Sequence, residues 1–450
     1  MGIDQAIIYT LAGRGWGLFS GIVMLFLVVR YLTPDQQGYY YTFASILAMQ
    51  IFFELGMSYV VMQFASHEMA GLTWSNTGIV EGEVMAKSRL HSLLVLVMKW
   101  YGVIAVLLLV VILPVGWLFF SMNPAPTEVN WQAAWLWLVI AAAVNIFIMP
   151  LLALLEGCGR VMEVARLRMY QSMIGSLLAW TVLVLGGGLL AIPAMNAGLA
   201  ITVLVWLWRT QRVFFKNLFV HPATSASIQW KSEIWPFQWR IALSWLSGYF
   251  IFQLFTPVLF AYRGAVEAGQ MGMSIAIANA LMSIAMAWMN TKVPGFGALV
   301  AKRDYRELDR VFGFTLSRSL GVMIVGGVML SAVNYFIHIN PVPFVDRILE
   351  PLPFTFLMLA TILNYVSYAQ AAYLRAHKEE PFMWISLVSA ALIGALTFAL
   401  GSEYGATGIM SGYLAVCSSI GLVWGSWIFF SKRRAWQKQS GLEVASKGRL

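Results

Sequence analysis

The chain carries one pattern twice. Asn123-Pro124-Ala125-Pro126 returns as Asn340-Pro341-Val342-Pro343. Asn145 stands ten residues before Leu155, and Asn364 stands ten before Leu374. Near the start of each half, Gly13, Gly17, Tyr31 and Gly38 become Ser244, Gly248, Tyr262 and Gly269 at a single offset of 231 residues. The landmarks keep their order, and only loop lengths change their spacing. In an apolar chain this is the mark of a duplicated membrane bundle, an arrangement typical of transporters.

Of the 450 residues 60% are hydrophobic and only 11% charged, with a mean hydropathy of +0.75. A soluble domain has about 25% charged residues, so most of this chain must face lipid. The 19 Trp and 17 Tyr suit the two membrane interfaces. Twelve apolar runs can be placed, near 6–30, 38–62, 92–120, 131–155, 169–188, 194–214, 237–261, 269–291, 311–337, 352–374, 382–400 and 406–430. Each is long enough to cross about 30 Å of hydrocarbon at 1.5 Å per residue. The first run lacks a basic leader and a small-residue cleavage site, so it reads as a span rather than a signal peptide.

Loops after even-numbered spans, with the C-terminal tail and the last residues of span six (Arg209 and Arg212), hold 22 of the 29 Lys and Arg. This bias predicts that both termini are cytoplasmic. The net charge of +9 is then a topology signal and not a nucleic-acid footprint. Lys432-Arg433-Arg434 reads as a stop-transfer anchor, with anionic headgroups as a second use. Six spans per half means that both halves enter from the same side. The expected fold is all-α and polytopic, with twelve transmembrane helices in two six-helix lobes related by a pseudo-two-fold axis along the membrane normal. The expected division is a lobe at 1–215, a cytoplasmic linker at 216–236, a lobe at 237–430 and a basic tail at 431–450. Each Asn-Pro-x-Pro copy closes the third span of its half, because proline cannot continue the helix.

Several function classes are excluded. The outer acids, Asp35, Glu128, Glu267, Asp346, Glu350 and Glu403, form no close pair for acid–base catalysis, so no enzyme is expected. No Gly-rich loop opens a helix to cradle phosphate, so any pumping must run on an ion gradient, of protons or sodium, or on the substrate's own gradient. Cys158 and Cys417 lack the spacing for a disulfide or a metal site, and no cofactor is expected. The loop at 63–91 lacks the Gly-x-x-x-Asp-Arg pattern of major facilitators and reads as an interfacial amphipathic segment around Trp74.

Three stretches carry a resemblance. Val29-Arg30-Tyr31-Leu32-Thr33-Pro34-Asp35-Gln36-Gln37-Gly38-Tyr39-Tyr40 resembles the link after the first span in polysaccharide exporters. Glu54-Leu55-Gly56-Met57-Ser58 resembles the acidic-Leu-Gly-Leu-Ser stretch late in their second span. Leu154-Leu155-Glu156-Gly157-Cys158-Gly159-Arg160 resembles their Gly-Arg turn after the fourth. Gln63 departs from the pattern, since the family often has a basic residue there. The chain is similar along its whole length to the polysaccharide transporter family (Wzx-type O-antigen and exopolysaccharide flippases) of the multidrug/oligosaccharidyl-lipid/polysaccharide exporter superfamily. The resemblance implies a bacterial inner-membrane flippase that moves undecaprenyl-pyrophosphate-linked oligosaccharide to the outer leaflet by alternating access. Membrane lipids, polysaccharide polymerase and chain-length proteins are its implied partners. An ion-coupled exporter of drugs or other lipids is the rival in the same superfamily, and a membrane polysaccharide polymerase the rival from another class.

A pyrophosphate-sugar head cannot cross hydrocarbon unaided, so a polar cavity is required. Ionisable groups inside spans are its first candidates. Arg14 lies roughly 25 Å below the outer end of span one, within a Gly13, Gly17, Gly21 stripe that would let helices approach closely. It serves either as a phosphate contact or as a structural cation paired with a carboxylate. Glu54 lies at the same computed depth in span two, and a pair with Arg14 would let both charges be retained. Asn145 and Asn364 are duplicated mid-span polar groups, read either as helix-to-helix hydrogen bonds or as sugar contacts. Gln50, Gln253 and Asn279 are similar candidates. Arg240, just after Pro236, serves snorkelling or the lobe entrance. Lys99 and Arg318 reach the cytoplasmic edge and read as snorkelling residues.

Overall fold

The computed structural model describes residues 5–220, 228–340, 345–377 and 381–447. The chain is an all-α polytopic membrane protein of twelve transmembrane helices. In hydrocarbon every backbone polar group must be satisfied internally, so each apolar run becomes a helix. Span one is Gln5–Tyr31, span three Val84–Met122, span four Gln132–Gly157, span six Gly188–Val220 and span eight Ala265–Ala301. Span nine is Tyr305–Ile339 and span ten Pro351–Ala376. Span two is broken into Pro34–Glu54 and Met57–Gly71, bent by 44°. Span five is Val161–Val184, and span seven is Trp235–Phe252 followed by Phe255–Arg263. The helix Met383–Gln437 carries spans eleven and twelve, which part at Gly405 (φ 60°, ψ −143°). A Cβ at Gly405 would collide with the Glu267 carboxylate, which instead accepts the Ala406 amide at 2.6 Å.

The chain divides into two compact units, one ending at Leu246 and the other starting at Ser247. In the first unit span one lies along span five, and span six packs on spans four and five. Span four also meets span three and the second leg of span two. Span one thus takes span five as its main neighbour. In the second unit span eight packs on spans nine and ten, and span nine packs on span ten. The second leg of span seven meets span eight and the helix of spans eleven and twelve.

The duplicated caps are explicit. Asn123 donates from Nδ2 to the Phe119 carbonyl at 2.8 Å, and Asn340 donates to the Phe336 carbonyl at 2.8 Å. Each satisfies a carbonyl that the helix end leaves open. Residues 341–344, the rest of the second Asn-Pro-x-Pro copy, lie outside the described residues.

Two segments at the Lys/Arg-rich end are more structured than their sequence suggests. The loop at 63–91, expected as an interfacial amphipathic segment around Trp74, takes a specific form at its centre. It forms an antiparallel hairpin, β1 (Leu72–Trp74) on β2 (Val80–Gly82), with Trp74 opposite Val80. Trp74 donates to the Cys158 carbonyl at 2.7 Å, packs on Phe214 at 4.9 Å and lies under the Arg160 guanidinium at 4.1 Å. Those partners hold the indole on the protein. The tail, in turn, is more than an anchor. Arg433 binds Asp309 through Nε at 2.9 Å and Nη2 at 2.8 Å, and the same carboxylate accepts from Gln437 at 2.7 Å and Tyr373 at 2.8 Å. Trp436 stacks on His377 with 3.7 Å between ring centres. The tail is thus latched to the basic ends of spans nine and ten.

The connector between the halves is also anchored. Arg89 bridges Glu68 at 2.8 Å and Glu233 at 2.6 Å. The Ile228 amide donates to Ser92 Oγ at 3.1 Å, and Trp230 packs on Trp100 with ring centres 4.8 Å apart. Arg89 holds the Glu233 carboxyl below its usual range. The carboxylate is therefore charged at neutral pH, and this contact fades only as the pH falls through that lowered value.

Candidate functional site

Of the predicted site residues, Glu54 has the most developed surroundings. It ends the first leg of span two, and the next two residues, Leu55 (φ 52°) and Gly56 (φ 70°), are left-handed. Glycine takes this conformation freely, whereas leucine does so at about 1–2 kcal/mol. Such strain persists only where the surroundings impose it. Glu54 is 6% exposed. Its Oε1 accepts from Ser58 Oγ at 2.9 Å and Tyr101 Oη at 3.3 Å, and the two hydroxyls are 2.8 Å apart. The Ser58 amide also bonds the carboxylate, and the Tyr59 amide turns to the Gly56 carbonyl at 3.2 Å. The Glu54 and Leu55 carbonyls thereby lose the amides that a continuous helix would give them.

The expected pair with Arg14 is not formed. Arg14 is exposed, and among the described residues no carboxylate pairs with it. Span one is turned by its other side, where Trp16 donates to Ser176 Oγ on span five at 3.0 Å and packs on Trp180 at 5.9 Å. The glycine stripe is not a close helix contact either. Gly13 faces Met169, but a Cβ at Gly17 or Gly21 would meet nothing within 4 Å. Arg14 and the bare backbone of Gly17 and Gly21 therefore lie on open surface of the unit.

The two asparagines have equivalent partners. Asn145 on span four donates to the Asn196 carbonyl on span six at 2.8 Å. Asn364 on span ten donates to Tyr413 Oη, on span twelve, at 2.5 Å and accepts from Cys417 Sγ at 3.6 Å. Both thus tie the fourth span of their half to the sixth. Gln50 is half-buried in the short turn one helical turn before Glu54, and Gln253 is half-buried at the break in span seven. Asn279 is exposed. The Arg240 side chain lies outside the described residues. Among the described residues no hydrogen bond or ion pair joins any two of these eight candidates.

Tyr101 escapes a sequence reading. It is fully buried and lies 47 residues from Glu54, inside a run of apolar residues where its ring looks like packing. No three His, Cys, Asp or Glu gather to hold a metal among the described residues.

No family model and no curated protein matches the chain. Solved structures do match, over nearly all of it. One is an inward-facing multidrug resistance transporter of the MATE family of the MOP superfamily, 15% identical over 98% of this chain and 97% of that one, with a TM-score of 0.62. Another is the lipid II flippase MurJ in an inward closed conformation, 14% identical over 94% and 87% of the two chains, with a TM-score of 0.59. A third is a MOP superfamily transporter from Pyrococcus furiosus Vc1, 14% identical over 96% and 95%, with a TM-score of 0.54. At such identities the likeness carries the fold alone: this chain has the fold of MOP superfamily transporters, which in these relatives serves both multidrug transport and lipid II flipping.

Proposed function

We propose that the protein is a flippase of the bacterial inner membrane, with both termini in the cytoplasm. It carries undecaprenyl-pyrophosphate-linked oligosaccharide from the cytoplasmic to the periplasmic leaflet for surface polysaccharide assembly. The observation that carries this reading is the likeness in fold, over 94% of the chain, to a lipid II flippase. Sequence supports it, because the exporter-like stretches recur in order and two of them fall on structural turning points, the break after Glu54 and the Gly159-Arg160 turn that seats the hairpin. Arg14 is the proposed pyrophosphate contact. It is an exposed cation without a carboxylate partner among the described residues, and a charge inside a span is costly unless it has a use. Gln50, Gln253 and Asn279 are the proposed sugar contacts, and Arg240 the entrance residue. Asn145 and Asn364 hold helices together instead. Alternating access, driven by an ion gradient, moves the head while the polyprenyl tail stays in lipid.

The likeness to a multidrug transporter favours a second reading, export of small molecules. Purified protein in vesicles separates the two. Flipping of lipid-linked oligosaccharide is expected, reduced at least tenfold in Arg14→Ala and partly restored in Arg14→Lys. Movement of cationic dyes without movement of the lipid would favour drug export. Extension of glycan chains on the lipid carrier would replace both readings with a polymerase.

A further inference from the structure

The break in span two has the makings of an ion site. Three side-chain oxygens, Glu54 Oε1, Ser58 Oγ and Tyr101 Oη, lie 2.8 to 3.3 Å from one another. Glu54 is 6% exposed and Tyr101 is 0% exposed. Beside them the Glu54 and Leu55 carbonyls have left the helical ladder, as the ends of broken membrane helices do where they receive cations. No Lys or Arg pairs with Glu54 among the described residues, so any charge on it must be balanced by something other than a basic side chain.

The donor set restricts what can balance it. All the donors are oxygens, which select a hard cation over a transition metal. A single carboxylate supplies one negative charge. Calcium sites draw six to eight oxygens and several carboxylates, and magnesium keeps most of its water. Neither suits a nearly buried site with one acid. A monovalent cation matches the charge, and both hydroxyls can turn their hydrogens away and offer lone pairs to it.

We propose that the break in span two binds one sodium ion, held by the Glu54 carboxylate, the Ser58 and Tyr101 hydroxyls and the backbone carbonyls released at Glu54 and Leu55. The ion sits where the helix bends by 44°, so its occupancy biases how the two legs meet. This names the coupling ion for the transport reading above and rests on that reading only for its role.

Binding is therefore measured without any lipid substrate. The full chain, purified in detergent, is titrated with sodium, potassium or choline chloride at constant ionic strength. Its thermal midpoint and radioactive sodium binding are recorded. Saturable binding of one sodium per chain is expected, with a matching rise in midpoint that potassium and choline do not give. Glu54→Gln should abolish it, and Ser58→Ala and Tyr101→Phe should each weaken it about tenfold, as the loss of one ligand to a charged partner does. Equal responses to the three salts would overturn the site. So would retained sodium binding in Glu54→Gln. A sodium-independent stabilisation that follows pH and vanishes in Glu54→Gln would assign Glu54 to a proton instead. If Glu54→Gln fails to fold, the wild-type titration and the Tyr101→Phe affinity still decide. A failure here leaves flipping untouched, and a failure to flip leaves sodium binding untouched.

Discussion

The two units share their scaffold and differ in their charges. Each caps its third span with an asparagine bonded to the carbonyl four residues back, and each ties its fourth span to its sixth through another asparagine. At the offset of 231 residues, however, Glu54 corresponds to Ala285 and Arg14 to Trp245. The second span of the first unit breaks at Leu55 and Gly56, whereas its counterpart runs unbroken for 37 residues from Ala265 to Ala301. Ala285 is fully buried, and its carbonyl accepts from Tyr365 Oη at 3.4 Å. Neutral hydrogen bonds that join helices were kept in both copies. A buried carboxylate is costly in a span, and among the described residues only the first copy has one. Among the described residues, only the first unit pairs a buried carboxylate with a broken helix.

The strongest way to break this comparison is to make the units alike. Ala285→Glu places a carboxylate in the unbroken helix without the Ser58 and Tyr101 hydroxyls that receive it in the first unit. It should cost about 3 kcal/mol and show as a lowered melting temperature and loss of the monodisperse peak in size-exclusion chromatography. Unchanged melting would mean that something other than burial keeps the charge out of the second copy.

The second unit has its own specialisation in the tail latch. Asp309→Ala strands Arg433, Gln437 and Tyr373 and should destabilise the protein by about 2 kcal/mol. Adding Arg433→Ala to that variant should cost little more, because the two residues share one contact. Additive losses in the double-mutant cycle would show that the tail docks through its aromatic stack instead.

The shared scaffold gives the smallest effect and the finest test. Asn145→Ala and Asn364→Ala should each cost about 1 kcal/mol, the scale of an interhelical hydrogen bond in a membrane. Measured by unfolding in denaturing detergent, the two losses should match. A large disparity would mean that one asparagine has a task beyond joining helices.

What the sequence reveals is local or repeated. The twelve apolar runs, the basic loops and the proline stops of the Asn-Pro-x-Pro copies can be read directly, because hydropathy and helix termination depend on neighbours along the chain. The candidate site is less legible. Glu54 stands out as an acid in a span, but Tyr101 is one aromatic among many until the fold brings it within 3.3 Å. Leu55 gives no hint of its left-handed backbone, which the surrounding packing imposes. Equal depth suggests an Arg14–Glu54 pair, but depth alone does not say which spans touch. Span one in fact lies on span five. The latch joins residues 124 apart, and the hairpin strands have three residues each, too few to show a period.

The clamped connector bears on how such a molecule can be cut. Sequence places the joint between the halves at 216–236, and that is where a designer would separate them for expression as two fragments. Yet Ile228, Trp230 and Glu233 are bound to Ser92, Trp100 and Arg89, and the first compact unit continues to Leu246. A fragment ending at residue 215 would leave Arg89 with Glu68 alone and uncover Trp100, and its partner would carry the missing contacts as a loose leader. The joint read from the sequence repeat and the seam of the folded molecule are about ten residues apart, roughly three turns of one helix.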